Sequence, residues 1–293
     1  MRKTFKAGVA TVCAAALSVV VGSLLVVPVF AGAQVRHVAG ERFGGPKPTI
    51  VMEHGGFADG SSWDNVASIL QHEGYTVDAP PTPLLGLASD SAYLASYLKT
   101  ISGPIILVGH SYGGMVTTGA AAGNPNVKAL VYVDALEPAV GESLEQLTFA
   151  KPGSCLTGGG NLNNVVNFVD NPSQPAGDFD VYLKTAPGPD FAGFDACFAT
   201  DVPTQQANLL AATQRPIALG AFTAPFAGTP AWTSIPSWAV IGTDDQVVPP
   251  AELTFLAQRA HSHVTYVKAG HLSMITQPFA VANVVNQAVW STS

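Results

Sequence analysis

The sequence predicts an α/β protein built on a mostly parallel, doubly wound sheet of about six strands and broken by one long insertion. Three observations predict it. Short apolar runs alternate with helical periodicity over residues 49–133 and again over 237–290, the rhythm of repeated βαβ units. The runs are continuously apolar rather than alternating, as strands buried on both faces are. Between the two blocks, from about Glu137 to Ile235, the rhythm stops and Gly, Pro and Asn accumulate.

The elements follow in order. Thr49–Met52 reads as a first buried strand, ending at His54-Gly55-Gly56-Phe57. Ser61 or Ser62 caps a helix that presents Trp63, Val66, Ile69 and Leu70 on one face and stops at Gly74. Tyr75–Asp78 is a second strand. Ser89 or Asp90 caps a helix carrying Tyr93, Leu94, Tyr97, Leu98 and Ile101. Pro104–Val108 is a third strand, followed by a helix of small residues from Gly113 to Ala122, and Ala129–Val133 is a fourth. The irregular stretch is too long for a single loop. It reads as a cap inserted over the carboxyl edge of the sheet, with Val165–Val169 and Gln205–Thr213 as its best short helices. Alternation resumes with a strand at Ser237–Gly242, a helix from Pro250, a strand at Val264–Val267 and a closing amphipathic helix from Pro278 to Trp290.

Residues 1–33 read as an export signal. Arg2, Lys3 and Lys6 precede an apolar run from Ala7 to Phe30, and Ala31-Gly32-Ala33 offers a cleavage site. The alternative is a membrane anchor, because the run is long enough to span a bilayer. Cleavage would leave residues 34–293 as one domain and carry off three of the thirteen Lys+Arg against twenty Asp+Glu, taking the net charge from −7 to −10. That balance disfavours nucleic acid and anionic membranes as partners. Two cysteines would remain, Cys155 and Cys197, which an oxidising compartment would allow to pair. No Cys/His cluster has zinc-site spacing, and no cofactor is called for.

The chemistry centres on Gly109-His110-Ser111-Tyr112-Gly113, a G-x-S-x-G run placed between a strand and a helix. This is the context of a nucleophile elbow, a sharp turn that needs small residues two positions either side of the serine. A serine hydroxyl requires a base held by a third group. His271 follows the last predicted strand and Asp245 the one before it, so all three sit at carboxyl ends of strands, where open α/β sheets place ligands. Asp244 and Asp134 are rival acids. His110 and His54 are weaker bases, the first held within the turn and the second bracing the first loop. Trp63, Tyr182, Phe191, Phe194, Phe222 and Phe226 are candidates for an apolar pocket, although aromatic residues more often fill core.

The segments GHSYGG, HGGFADGSSW, GTDDQVVPP and AGHLSMITQP resemble the α/β-hydrolase superfamily, nearest to small-cap esterases and lipase-like serine hydrolases of the plant methylesterase and hydroxynitrile lyase branch. The likeness runs from about Thr49 to Trp290. It implies Asp245 as the acid, because Pro249 stands four residues on. It also implies an oxyanion hole from the backbone N–H groups of Tyr112 and Gly56, with Phe57 the next candidate. The expectation is a secreted serine hydrolase acting on a small-molecule carboxylic ester. Rivals are lactone opening or other chemistry on the same residues, or a binding protein without turnover. Hydroxynitrile cleavage fits less well, since that branch carries lysine where this chain has Leu272.

Overall fold

A computed structural model describes residues 45–292; the expected export segment lies outside them. Six strands form one sheet: β1 (Thr49–Glu53), β2 (Thr76–Asp78), β3 (Ile105–His110), β4 (Val127–Val133), β8 (Ser237–Gly242) and β9 (His263–Val267). Their order is β2-β1-β3-β4-β8-β9, and every pairing is parallel. The central strand β3 is buried at all six positions, as its unbroken apolar run requires. The chain leaves β1 toward β2 and then returns to the other side of β1 as β3. The loops after β1 and β3 therefore open side by side at a topological switch point, the usual ligand crevice of such sheets.

Helices cover both faces. On one, α1 (Asp64–His72) packs with α10 (Pro278–Thr292), which lies along β4 and β8. On the other, α2 (Leu87–Leu98) packs with α3 (Tyr112–Ala120). The small side chains of α3 let it sit close to the sheet. The closing helix α10 buries Val281, Val284, Val285, Ala288 and Val289 and leaves Phe279 and Trp290 outside.

Two caps differ from expectation. Asp59, not Ser61 or Ser62, caps the turn leading into α1, accepting from Ser61 N–H at 2.8 Å. Helix α2 begins at Leu87, ahead of Ser89 and Asp90. Asp90 is buried and turned inward, accepting from Leu85 N–H and from the Tyr112 hydroxyl, the latter at 2.8 Å.

Between β4 and β8 the chain builds a second layer over the carboxyl edge. A three-stranded antiparallel sheet, β5 (Val166–Asp170), β6 (Phe179–Leu183) and β7 (Ile217–Ala218), is accompanied by α4 (Leu144–Thr148), α5 (Phe194–Cys197), α6 (Thr204–Thr213) and α7 (Leu219–Thr223). Helix α6 falls where the pattern predicts one. The other expected helix, Val165–Val169, is instead strand β5. Its alternation of Val166 and Phe168 with the more exposed Asn167 and Val169 is a strand period, hidden in so short a run.

This layer is fastened to the main sheet at defined points. Within the layer itself Cys155 and Cys197 form a disulfide with Cα atoms 5.8 Å apart. Cys155 N–H donates to Gln246 O and the Ser154 hydroxyl to Val247 O, each at 2.7 Å. Arg259, on α8 (Pro250–Arg259), holds both oxygens of Glu142 in a fork at 2.6 and 2.7 Å. No helix among the described residues is long and apolar enough to cross a membrane.

Candidate active site

Ser111 stands at the tip of the turn between β3 and α3 with φ 52° and ψ −123°, a conformation L-residues rarely adopt. Strain of this sort costs about 1–3 kcal/mol and has to be imposed by its surroundings. Here the backbone is fixed on both sides. Ser111 O accepts from Gly114 N–H at 2.9 Å and from Leu136 N–H at 3.2 Å. The turn is also closed so tightly that side chains are excluded. A Cβ on Gly109 would stand 2.7 Å from Gly113 O, and one on Gly113 would stand 2.6 Å from Glu53 O. The spacing Gly-x-Ser-x-Gly is thus a packing requirement of the turn. Ser111 keeps 8% exposure, and its hydroxyl makes no hydrogen bond among the described residues.

His271 follows β9 and is fully buried. Its Nδ1–H donates to Asp245 Oδ2 at 2.7 Å, while Nε2 has no hydrogen-bond partner among the described residues. Burial pushes the imidazole down to about 3, so it is neutral at rest. The carboxyl of Asp245 is pushed up by burial and pulled back by two backbone donors, Val247 N–H at 2.8 Å and Val248 N–H at 3.0 Å on Oδ1. Those donors favour the carboxylate, leaving the shared proton on Nδ1 and the lone pair on Nε2.

The rival acids are separated by position. Asp244 is exposed at the mouth of the turn. Asp134, at the end of β4 with φ 46°, is buried but does not touch the imidazole. Its Oδ1 accepts from Gly242 N–H at 2.7 Å, and its Oδ2 accepts from the backbone N–H and hydroxyl of Ser273. It thereby fastens the end of β8 to the turn just after His271. Burial, with the nearby Asp245 carboxyl, pushes Asp134 up.

The weaker histidines have structural tasks. His110 donates from Nε2 to the backbone carbonyl of His271 at 2.9 Å, and the two rings lie 4.8 Å apart. Burial drives it well below the ordinary histidine value. His54 donates from Nδ1 to Gly55 O at 2.8 Å and accepts Thr82 N–H at Nε2 at 3.0 Å, which fixes its tautomer. Burial lowers it to about 4.

Among the described residues the N–H groups of Gly56, Phe57 and Tyr112 find no acceptor. Tyr112 N–H opens helix α3, where backbone donors are unpaired and the helix dipole favours negative charge. The Tyr112 ring is anchored away from the opening through its hydroxyl on Asp90. Gly56, Phe57, Ser111 and Tyr112 wall one small, narrow cavity, partly open to solvent. Its other walls come mainly from the cap and the loop after β8, among them Leu156, Phe198, Ile217, Phe222 and Val248. Phe198 joins the two halves of the site: it lines this cavity, and its ring meets that of His271 edge-on at 5.4 Å.

Of the six aromatic residues picked out by sequence, Phe222 lines the cavity. Trp63 packs on His110 beneath the turn, Phe191, Phe194 and Phe226 are core, and Tyr182 is half-buried on β6, away from the cavity wall. Phe198, Leu156 and Ile217 were not legible as site residues. The one clue was adjacency, since Leu156 and Phe198 each follow a cysteine of the disulfide. Among the described residues no group of three or more His, Cys, Asp or Glu side chains is placed to hold a metal ion.

Comparison with known proteins gives the family. The profile of the Alpha/beta hydrolase family matches residues 50–284. The chain belongs to the α/β-hydrolase family. A carbendazim hydrolyzing esterase of Nocardioides sp. (strain SG-4G) is 34% identical over 111 residues, covering 33% of this chain and 46% of that protein. A pyrethroid hydrolase of Sphingobium wenxiniae is 28% identical over 158 residues, covering 47% and 56%. The matches thus span about half the length of these curated relatives. Among solved structures, polyneuridine aldehyde esterase superposes with a TM-score of 0.66 at 20% identity, over 83% of this α/β-hydrolase and 99% of that chain. A methylesterase from Arabidopsis superposes at 0.64 with 16% identity, over 83% and 98%. At these identities the likeness is one of fold.

Proposed function

We propose that this α/β-hydrolase is an exported serine esterase that cleaves small-molecule carboxylic esters through an acyl-enzyme. The observation that carries the reading is the bond from His271 Nδ1 to Asp245 Oδ2, which leaves Nε2 as a buried nitrogen with no partner. In this reading the Ser111 hydroxyl attacks the ester carbonyl as Nε2 takes its proton, and Asp245 steadies the imidazolium that forms. The N–H groups of Gly56 and Tyr112, with Phe57 as the neighbouring donor, hold the tetrahedral oxyanion. Such donors are worth about 10²–10³ each in rate. His271 then gives the proton to the leaving alcohol, and water releases the acyl group by the reverse sequence. The relatives named as esterase and pyrethroid hydrolase support ester cleavage as the reaction class. The Cys155–Cys197 disulfide, with the apolar segment at the N-terminus, supports an extracytoplasmic home.

A fluorophosphonate probe tests the site: it labels the wild type and spares Ser111→Ala. Labelling that survives that change moves the nucleophile elsewhere. N-terminal sequencing of the exported protein tests the address, with a start at Gln34 expected.

A further inference from the structure

Asp245 and His271 stand on different loops, the first after β8 and the second after β9, and the cap lays a separate segment on each. On the loop of Asp245 it is the stretch that ends at Cys155. Cys155 N–H donates to Gln246 O and the Ser154 hydroxyl to Val247 O, on the two residues that follow Asp245. On the loop of His271 it is the stretch that begins at Cys197. The Phe198 ring meets the imidazole edge-on at 5.4 Å, and Asp201 accepts from the Thr276 hydroxyl at 2.8 Å. The fit is close, because a Cβ on Gly270, just before His271, would collide with the Thr200 hydroxyl.

The Cys155–Cys197 disulfide joins these two segments, and a closed ring results. From Asp245 it runs to its neighbour Gln246 and across a hydrogen bond to Cys155. It passes through the disulfide to Cys197 and on to the adjacent Phe198. It then crosses the aromatic contact to His271 and returns to Asp245 through the 2.7 Å bond from Nδ1. Other ties act on the backbone around the imidazole: His110 holds the carbonyl of His271, and Asp134 holds the N–H of Ser273. From the cap, the imidazole itself is met by Phe198. A ring held at one nitrogen can still rock about that bond, and a second support removes the motion. An aromatic contact of this kind is worth about 0.5–1.5 kcal/mol, so it steadies the imidazole only if its own ring is held. Phe198 is buried and packs on Phe194 at 5.1 Å, and Phe194 belongs to the same short helix, α5, as Cys197. The disulfide thus pins that helix to the loop that bears Asp245.

We infer that Cys155, Cys197 and Phe198 are positioning residues: the disulfide carries the place of the Asp245 loop to the imidazole through Phe198 and keeps His271 aligned between Asp245 and Ser111. The inference deepens the esterase reading above and rests on it. Opening the disulfide leaves Nδ1 its acceptor but lets the ring swing, so Nε2 faces the Ser111 hydroxyl for a smaller share of the time. The enzyme reaches its full rate only where the disulfide can form, outside a reducing compartment.

The test compares the wild type with Cys155→Ser plus Cys197→Ser, well below both melting temperatures, so that loss of folded protein plays no part. The clamp predicts that kcat on p-nitrophenyl acetate falls by about 10–100-fold, the cost of a misplaced catalytic group. The signal specific to positioning is the His271 Nδ1 proton, a downfield NMR resonance assigned by its loss in His271→Gln. Its exchange with solvent should quicken by about tenfold or more once the ring is free to swing. Glu142→Ala cuts the Arg259 fork and loosens the cap elsewhere, and should leave both kcat and the proton signal as in the wild type. Phe198→Ala should reproduce both losses with the disulfide intact, and adding the cysteine changes to it should cost little more. If the double cysteine variant fails to fold, the folded wild type reduced to two thiols by a phosphine supplies the same opened ring. A lower melting temperature with kcat and proton exchange unchanged overturns the clamp. So does a fall in kcat with proton exchange unchanged, or an equal fall in Glu142→Ala. A wild type that neither turns over esters nor labels at Ser111 defeats the esterase reading instead, and proton exchange then decides the clamp alone.

Discussion

The main sheet and the cap reach order by different routes. In the sheet, β3 is buried along its whole length and every neighbour runs parallel, so hydrophobic burial fixes register and position. In the cap, strands are short, one has only two residues, and several turns rest on glycines with positive φ at 158, 159, 160, 177 and 193. There the order comes from point fastenings: one disulfide, the Arg259–Glu142 fork and a few hydrogen bonds to the loop after β8. The lesson is a division of labour. Groups that would do the chemistry stand on loops of the burial-driven layer, and groups that shape the cavity come largely from the fastened layer.

The sharpest way to test that division is to remove one side chain from the sheet's rim and ask whether the cap alone retains function. Ser111→Ala should lower kcat by about 10⁴–10⁶-fold with little change in the melting temperature. Residual activity near wild type would break the comparison outright. Next in size are the two buried aspartates. Asp245→Asn should cost about 10⁴ in kcat because the imidazole loses its oriented acceptor. Asp134→Asn should keep the rate within about tenfold and instead lower the melting temperature, since its carboxyl fastens Gly242 and Ser273. A reversed outcome would hand the acid role to Asp134.

The cap side of the comparison is tested by Cys155→Ser with Cys197→Ser. The closed segment spans a separation of 42 residues, for which loop entropy sets a ceiling of about 4 kcal/mol on the stabilisation. Hydrogen exchange should quicken across residues 137–235 while β3 and β4 amides stay protected. Uniform quickening would mean that the two layers unfold as one. The smallest effect concerns pH. Burial pushes Glu53, at the end of β1, from 4.5 up to about 8. Its protonated form is favoured in the fold, so its contribution is fully present below about pH 4.5 and is lost as pH rises through 8. Glu53→Gln should therefore melt higher than the wild type at pH 9, by more than about 4 °C, and nearly equal to it at pH 5. Equal curves at both pH values would place Glu53 outside the rim's buried electrostatics.

Legibility in the sequence follows the same boundary. The four inner strands, β1, β3, β4 and β8, were readable because burial on both faces leaves an apolar run, and the half-buried edge strands β2 and β9 from their place in the alternation. Ser111, Asp245 and His271 stood out as candidates because each follows the end of a strand. Strand-end position alone did not separate Asp245 from Asp134; the resemblance favoured Asp245 through Pro249, and the contact that distinguishes them, the bond from Asp245 to His271, is not carried by any local pattern. The cap was opaque for a further reason. Strand β5 is five residues long and pairs with β6 across a loop of Pro, Gly and Asn, so its period of two has almost no room to repeat. Phe198 and Leu156 acquire their place from a covalent link between distant residues, and no local pattern announces that.

One detail of the elbow reaches beyond its own turn. The residue just before Ser111 occupies a place where the motif tolerates any side chain, yet here it is a histidine holding the carbonyl of His271, 161 positions later. Two loops that arrive on separate strands are clasped to each other at the point where their separation counts most. Replacing His110 would therefore cut the tether between the turn that bears Ser111 and the loop that bears His271, without touching either side chain.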